Sequence, residues 1–255
     1  GADLRYDITV SLKDAFNGLE KVLSINKMVE CPDCGGSGAR KGTSPIVCKR
    51  CNGTGQMQVV RSTPFGRFAT VSTCDQCHGR GKVIEDPCPT CRGSGAVSGN
   101  KKIKVKVPAG IDDGSHIRIN GEGNPSTRGG QPGDLYVVVH VEKDPRFLRD
   151  GTELLLELGI SFPQAALGDE VDVETIDGKV KMKIPPGTQH GKVFRLRGKG
   201  MPNMRTGRRG DQHVRVSIDV PTSLTDDQKA LIKKLGKSFG HSPKEQKKSF
   251  FDSFR

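Results

Sequence analysis

Tryptophan is absent from this chain, tyrosine occurs twice, and aromatic residues make up only 5% of the sequence. With so few large anchors a single big core is not expected. The 33 glycines and 33% hydrophobic content describe a turn-rich protein with modest cores, and 255 residues suffice for about two domains. No stretch approaches the roughly 20 apolar residues of a membrane helix, so no membrane association is expected. The opening "GADLRYDITV" lacks the basic-then-apolar layout of a secretory signal. Without an initiating Met it is expected to be the start of a fragment. Acidic residues are outnumbered, 29 against 41 basic, for a net charge of +12. Such an excess can attract nucleic acid, anionic surfaces or an acidic protein partner. The cations are spread out, in short runs such as "KVKMK" and "RTGRR", and no arginine-rich arm stands out. Nucleic acid is therefore not expected as the main partner. No Ser-His-Asp or paired-carboxylate arrangement emerges and the six His lie singly, so enzymatic chemistry has no visible home.

Cysteine is present but confined. All eight lie between Cys31 and Cys91, in four units: "CPDCGGSG", "CKRCNGTG", "CDQCHGRG" and "CPTCRGSG". A Cys-x-x-Cys turn presents two thiolates to one metal, and zinc takes four in a tetrahedron. Four half-sites thus make two closed sites, structural rather than catalytic, each with a glycine-assisted turn around the metal. Two zinc ions per chain are expected. Paired spacing without a secretory signal also points to a reducing compartment, the cytoplasm or the interior of an organelle. The rival reading is a thiol-disulfide oxidoreductase. A redox motif normally opens a helix that lowers the thiol pKa, and the glycine-rich tails here disfavour a helix. A zinc-ribbon nucleic-acid binder is a second rival, suggested by charge alone. His78 adjoins a pair but is not needed as a ligand.

Self-comparison gives the organisation. "IKVKVPAGIDDGSHIRINGEGNP" from Ile103 aligns without gaps to "VKMKIPPGTQHGKVFRLRGKGMP" from Val180, a shift of 77. Ser11, Ala15, Gly18 and Glu20 line up with Ser161, Ala165, Gly168 and Glu170, a shift of 150. The first copy therefore carries about 73 extra residues between its halves, and the cysteine segment fills that gap. An insertion inside a folded β domain must leave close to where it entered. The first and last half-sites are then neighbours, which assigns one zinc to Cys31, Cys34, Cys88 and Cys91. A nested one falls to Cys48, Cys51, Cys74 and Cys77. Adjacent pairing, first with second and third with fourth, is the competing arrangement.

Period-two alternation in "DLRYDITVSL", "EKVLSI", "KIKVKV", "HIRI" and "DLYVVVHV" marks strands. "LKDAFNG" and "FPQAALG" are short helical turns ended by Gly. The expected fold is mainly β, with two tandem β-sandwich-like domains. The first spans 1–30 and 100–145 and carries the inserted two-zinc hairpin arm, 31–99; the second spans 146–221. Residues 222–255 hold a C-terminal amphipathic helix and a basic tail. Thr225 and Gln228 form a capping-box layout, and Leu231, Ile232 and Leu235 make one apolar stripe. So short a helix needs a surface to cover its stripe, either its own domain or a second chain. Pairing with a second chain, a homodimer, is the reading adopted. The glycine pairs Gly121/Gly123 and Gly198/Gly200 lack a following Lys-Ser/Thr and read as turns, as does Arg209-Gly210-Asp211.

Four Cys-x-x-Cys-x-Gly-x-Gly units inserted in a duplicated β body resemble the zinc-containing DnaJ co-chaperones. "GADLRYDITVSL", "VPAGIDDG", "GDLYVVV", "LRGKGMP" and "SFFDSF" are similar to the bacterial or organellar members. The family's first-with-fourth, second-with-third zinc arrangement agrees with the pairing above. No His here is followed by Pro-Asp, and no Gly/Phe-rich linker occurs. The resemblance is thus to the C-terminal half without the J domain, which is not expected to stimulate a DnaK-type ATPase alone. The resemblance implies a co-chaperone that binds unfolded polypeptide clients, prevents aggregation and passes clients to a DnaK-type chaperone. It implies that clients add as a strand over an apolar pocket of the first domain, here Ile8, Leu23, Ile25, Ile103 and Val137. The plainer reading of those five is ordinary core packing. Lys49, Arg50 and Arg67, near the second zinc site, are the implied candidates for contact with the DnaK-type partner.

Overall fold

The structure, a computed structural model, describes residues 1–63, 66–126 and 130–240, with the side chains of all but 59–63 and 66–69. The closing "SPKEQKKSFFDSFR" falls outside the described residues.

The first repeat opens with β1 (Leu4–Val10), the short helix α1 (Leu12–Asn17) and β2 (Leu19–Glu30). Within the arm follow β3 (Ile46–Val47), β4 (Gln56–Thr63), β5 (Gly66–Thr73) and β6 (Lys82–Val83). The body resumes with β7 (Ala96–Val107), β8 (Ser115–Ile119) and β9 (Leu135–Val141). The second repeat comprises β10 (Phe147–Asp150), β11 (Glu153–Ser161), α2 (Phe162–Leu167), β12 (Asp169–Thr175), β13 (Gly178–Ile184), β14 (Val193–Leu196) and β15 (Gln212–Asp219). Helix α3 (Asp226–Ser238) closes the described chain.

The duplication is written into the sheets. In the first repeat the order is β1-β9-β8, with β2-β7 as a separate pair. In the second it is β11-β15-β14, with β12-β13 as the pair and β10 added beside β11. Backbone bonds repeat as well. Asn124 N–H donates to the Ala2 carbonyl and Met201 N–H to that of Thr152, at 2.9 and 2.7 Å. Gly133 and Gly210 donate to the carbonyls of Asn124 and Met201, both at 3.0 Å. Asp134 and Asp211 each accept the N–H of a turn glycine, Gly121 and Gly198, at 2.8 Å. Those glycines sit at φ 71° and 67°, so the glycine pairs are turns. Both short helices carry capping boxes, from Ser11 with Asp14 and from Ser161 with Gln164, and both end at a positive-φ glycine.

By packing, the residues form two compact units. One comprises Gly1–Leu156, Glu174–Gly178 and Arg195–Val214; the other comprises Glu157–Val173, Lys179–Phe194 and Arg215–Arg255. In the first, the alternate positions Ile8 and Val10 of β1 and Leu135, Val137 and Val139 of β9 are buried, as are Leu23 and Ile25 of β2 and Ile103, Val105 and Val107 of β7. In the second, Ile160, Ala165, Val173, Met182, Ile184 and Val216 are buried.

Nested antiparallel ladders build the arm. β2 and β7 pair along their full length, from Leu19↔Val107 to Glu30↔Ala96. This register delivers Cys31 and Gly95 side by side, so the chain re-enters where it left. Beyond the first cysteine cluster lies the ladder Ile46↔Val83 and Val47↔Lys82. Beyond the second lies the β4–β5 hairpin, Gln56↔Thr73 to Thr63↔Gly66. No described helix is long and apolar enough to cross a membrane.

Candidate functional site

Each Cys-x-x-Cys unit folds as the same knuckle. The residue after the second cysteine, namely Gly35, Asn52, His78 or Arg92, takes a left-handed φ between 50° and 57°. The unit's last glycine then donates its N–H to that second cysteine. Gly38 reaches Cys34 Sγ at 3.3 Å, Gly55 reaches Cys51 at 3.2 Å, and Gly81 and Gly95 reach Cys77 and Cys91 at 3.3 Å. These donors stabilise thiolate over thiol.

Knuckles then join in pairs through reciprocal backbone bonds. Cys31 N–H donates to the Gly95 carbonyl and Cys88 N–H to that of Gly38, both at 2.9 Å. Cys48 donates to Gly81 and Cys74 to Gly55, again at 2.9 Å. The last glycine in each unit is required by this approach: a Cβ at Gly95 would lie 2.4 Å from the Gly36 carbonyl oxygen. One at Gly81 would lie 2.3 Å from that of Gly53. Glycine as an aid to turning around the metal is thus only part of its role; it also lets two knuckles touch backbone to backbone.

The sulfurs gather as the insertion argument expects. Cys31, Cys34, Cys88 and Cys91 form one group and Cys48, Cys51, Cys74 and Cys77 the other, all sulfurs of a group within 4.8 Å of one another. Adjacent pairing is excluded. Sγ–Sγ separations are 3.9 Å for Cys31–Cys88, 3.7 Å for Cys34–Cys91, 3.9 Å for Cys48–Cys74 and 3.6 Å for Cys51–Cys77. A tetrahedron with zinc–sulfur bonds of about 2.3 Å has edges of about 3.8 Å, so both groups fit zinc. Seven of the eight thiols are buried and Cys34 is half-buried. Burial pushes Cys31 and Cys77 up to about 11. It works against ionisation at Cys51 too, yet the Gly55 N–H and the Cys48 and Cys77 sulfurs bring that thiol down to about 7. Four thiolates this close demand a cation, which zinc supplies. His78 is not among the clustered ligands.

Polar pairs flank both clusters: Thr90 Oγ1 donates to Asp33 beside the first, and Arg50 meets Asp75 at 2.9 Å beside the second. Lys49 and Arg50 are exposed, while the side chain of Arg67 lies outside the described residues.

All five expected client-pocket residues are buried, none more than 6% exposed. Leu23 and Ile103 pair directly across β2 and β7, and Ile25 follows Leu23 on the same face. On the other sheet Ile8 sits opposite Val139, and Val137 lies two positions away on the same strand. In the first-repeat body, among the described residues, the exposed large apolar side chains are Val22, 61% exposed, and Met28. Both lie on the outer face of β2, and pattern alone gave no signal for them. On α3 the cap Thr225 and the box with Gln228 are present, and no described residue of the helix is buried. Leu231, Ile232 and Leu235 are 66%, 50% and 42% exposed.

Two closed four-thiolate centres on an arm threaded out of a duplicated β body define a zinc-braced β protein whose metal sites are of the structural kind. Residues 4–221 match the family model described as "DnaJ C terminal domain". The chain is 46% identical over its full length to a chaperone protein DnaJ from Acetivibrio thermocellus, covering 66% of that protein. It is 48% identical over its full length to one from Ruminiclostridium cellulolyticum, covering 67% of it. The chain belongs to the DnaJ C-terminal domain family, and it spans about two thirds of the length of these curated relatives.

Proposed function

We propose that this chain holds non-native polypeptide on its first repeat, keeps it from aggregating and passes it to a DnaK-type chaperone. The observation that carries the reading is β2: an edge strand of a two-stranded sheet, with Leu23 and Ile25 buried on one face and Val22 and Met28 exposed on the other. An extended client adds to such an edge through backbone bonds, which tolerate many sequences, while apolar contacts bias the choice. Ile8, Leu23, Ile25, Ile103 and Val137 form the apolar floor of this site. Their burial in the free chain means that clients reach them only where the two first-repeat sheets part locally. The role is holding rather than catalysis, in a reducing compartment such as the cytoplasm that keeps eight free thiols reduced. Lys49 and Arg50, beside the second zinc cluster, are the proposed contacts to the DnaK-type partner. The dithiol rival loses ground to the burial of the sulfurs and the fit of both clusters to metal.

The test is suppression of aggregation of a chemically denatured client by the zinc-loaded chain. Ile8→Ser and Leu23→Ser should abolish suppression while two zinc per chain are retained. Val22→Lys, at an exposed position, should weaken it without disturbing the fold. Full suppression by all three variants would refute the assignment.

A further inference from the structure

Among the described residues, the outer edge of β2 is open over most of its length and closed at one point. Successive residues of a strand aim their N–H groups at opposite edges. Met28 N–H donates to Asn124 Oδ1 at 3.1 Å, so Met28 belongs to the set that faces away from β7. By alternation, Val22, Ser24 and Asn26 turn their N–H and C=O groups to the same outer edge. None of these three amides has a partner among the described residues. The free edge therefore runs up to Asn26, and the next position is occupied.

Asn124 is held firmly for this task. Its N–H donates to the Ala2 carbonyl at 2.9 Å, and its own carbonyl accepts from Gly133 at 3.0 Å, leaving only the side-chain amide to reach across. Next to it, Glu122 binds both strands of the arm's stem: Lys27 at 3.2 Å and Lys101 at 2.8 Å. The second repeat supplies an internal control. Met201 occupies the equivalent clamp, with the same two backbone bonds, and is fully buried. The clamp does not need an asparagine. There β12 ends at Thr175, the counterpart of Ile25, so no strand continues past the clamp to be capped. The Lys27–Glu122 pair recurs at the equivalent residues Asp177 and Lys199, 3.5 Å apart with the charges exchanged. The ion pair is thus a fixture of the repeat, whereas the Asn124 amide is peculiar to the copy whose strand runs on into the arm.

We propose that Asn124 is a specificity-determining residue that sets where a bound client strand ends: it occupies the Met28 edge, so that a client pairs with Val22 to Asn26 and no further. The proposal rests on the strand-addition reading above. By fixing the end, Asn124 fixes the register, and with it which client side chains lie beside Val22.

Amide hydrogen exchange on the zinc-loaded chain, with and without a synthetic octapeptide of alternating Leu and Thr, tests this. In the parent chain, the peptide should slow Val22, Ser24 and Asn26 by at least about tenfold and leave Met28, already protected, unchanged. In Asn124→Met, whose fold the second repeat vouches for, Met28 should exchange freely alone and slow with peptide, lengthening the footprint. Asn124→Asp retains an acceptor oxygen and should match the parent. If Met28 of Asn124→Met stays unprotected by a peptide that still slows Val22 to Asn26, the stop is overturned and strand addition stands. If the peptide slows none of the three in the parent, strand addition itself fails.

Discussion

A methyl group on Gly95 would lie 2.4 Å from the Gly36 oxygen, on a backbone at φ 78°. Gly95→Ala should therefore separate the first and fourth knuckles, at a cost of about 1–3 kcal/mol for the backbone conformation alone. Zinc analysis should fall from two per chain towards one, with the second site intact. Asp177 offers a test in pH. Arg209, 2.7 Å away, together with Thr175 and Lys199, holds its carboxyl at about 2, against an ordinary value of 3.8. A depressed carboxylate contributes stability above its unfolded pKa and loses it as pH falls through the folded one. The contribution, about 1–2 kcal/mol, is complete above about pH 4 and gone near pH 2. In urea titrations, Asp177→Asn should be less stable than the parent at pH 6 and show a flatter loss between pH 4 and 2. At this scale the sequence was partly legible. Eight cysteines in four like units announce a metal, because thiolate chemistry leaves few other uses for that spacing. The contact between Met28 and Asn124, which are 96 positions apart, leaves no trace in any local pattern.

Among the elements, β2 and β7 were each expected to be short and instead run for 12 residues, continuing from the body into the stem of the arm. Their inner ends alternate as body strands do. Further out the alternation loses its apolar character: the next inward position of β2 is the buried Lys27, and β7 carries Ser98, Gly99 and Asn100, so no apolar period-two signal marks the continuation. The nesting of the arm, by contrast, follows from the two repeat offsets, because an insertion must close where it opened. Helix α3 was legible in its cap and its stripe, as capping and periodicity are local. Its partner was not, because a stripe does not specify its cover. We propose a second copy as that cover: Leu231, Ile232 and Leu235 face solvent, and an isolated helix of 13 residues is marginal in water. Deleting 225–255 should halve the mass measured by light scattering; an unchanged mass would refute the dimer through this helix.

For the whole molecule, the two metal clusters and the β body draw on different sources of stability. The small buried clusters in the arm consist of the thiols themselves, with Met57 and Val83 against one and Val97 against the other. Structural zinc sites contribute on the order of 10 kcal/mol or more to folding, far beyond what so few apolar contacts can. Chelation should thus release exchange protection across 31–95 while β1 and β9, paired in register and buried, keep theirs. The most direct measurement is a structure of the zinc-loaded chain with an apolar peptide bound. The peptide should lie as an added strand on the outer edge of β2, alongside Val22 to Asn26, with both zinc clusters undisturbed. A peptide bound only to the second repeat, or held through the cysteine sulfurs, would contradict it.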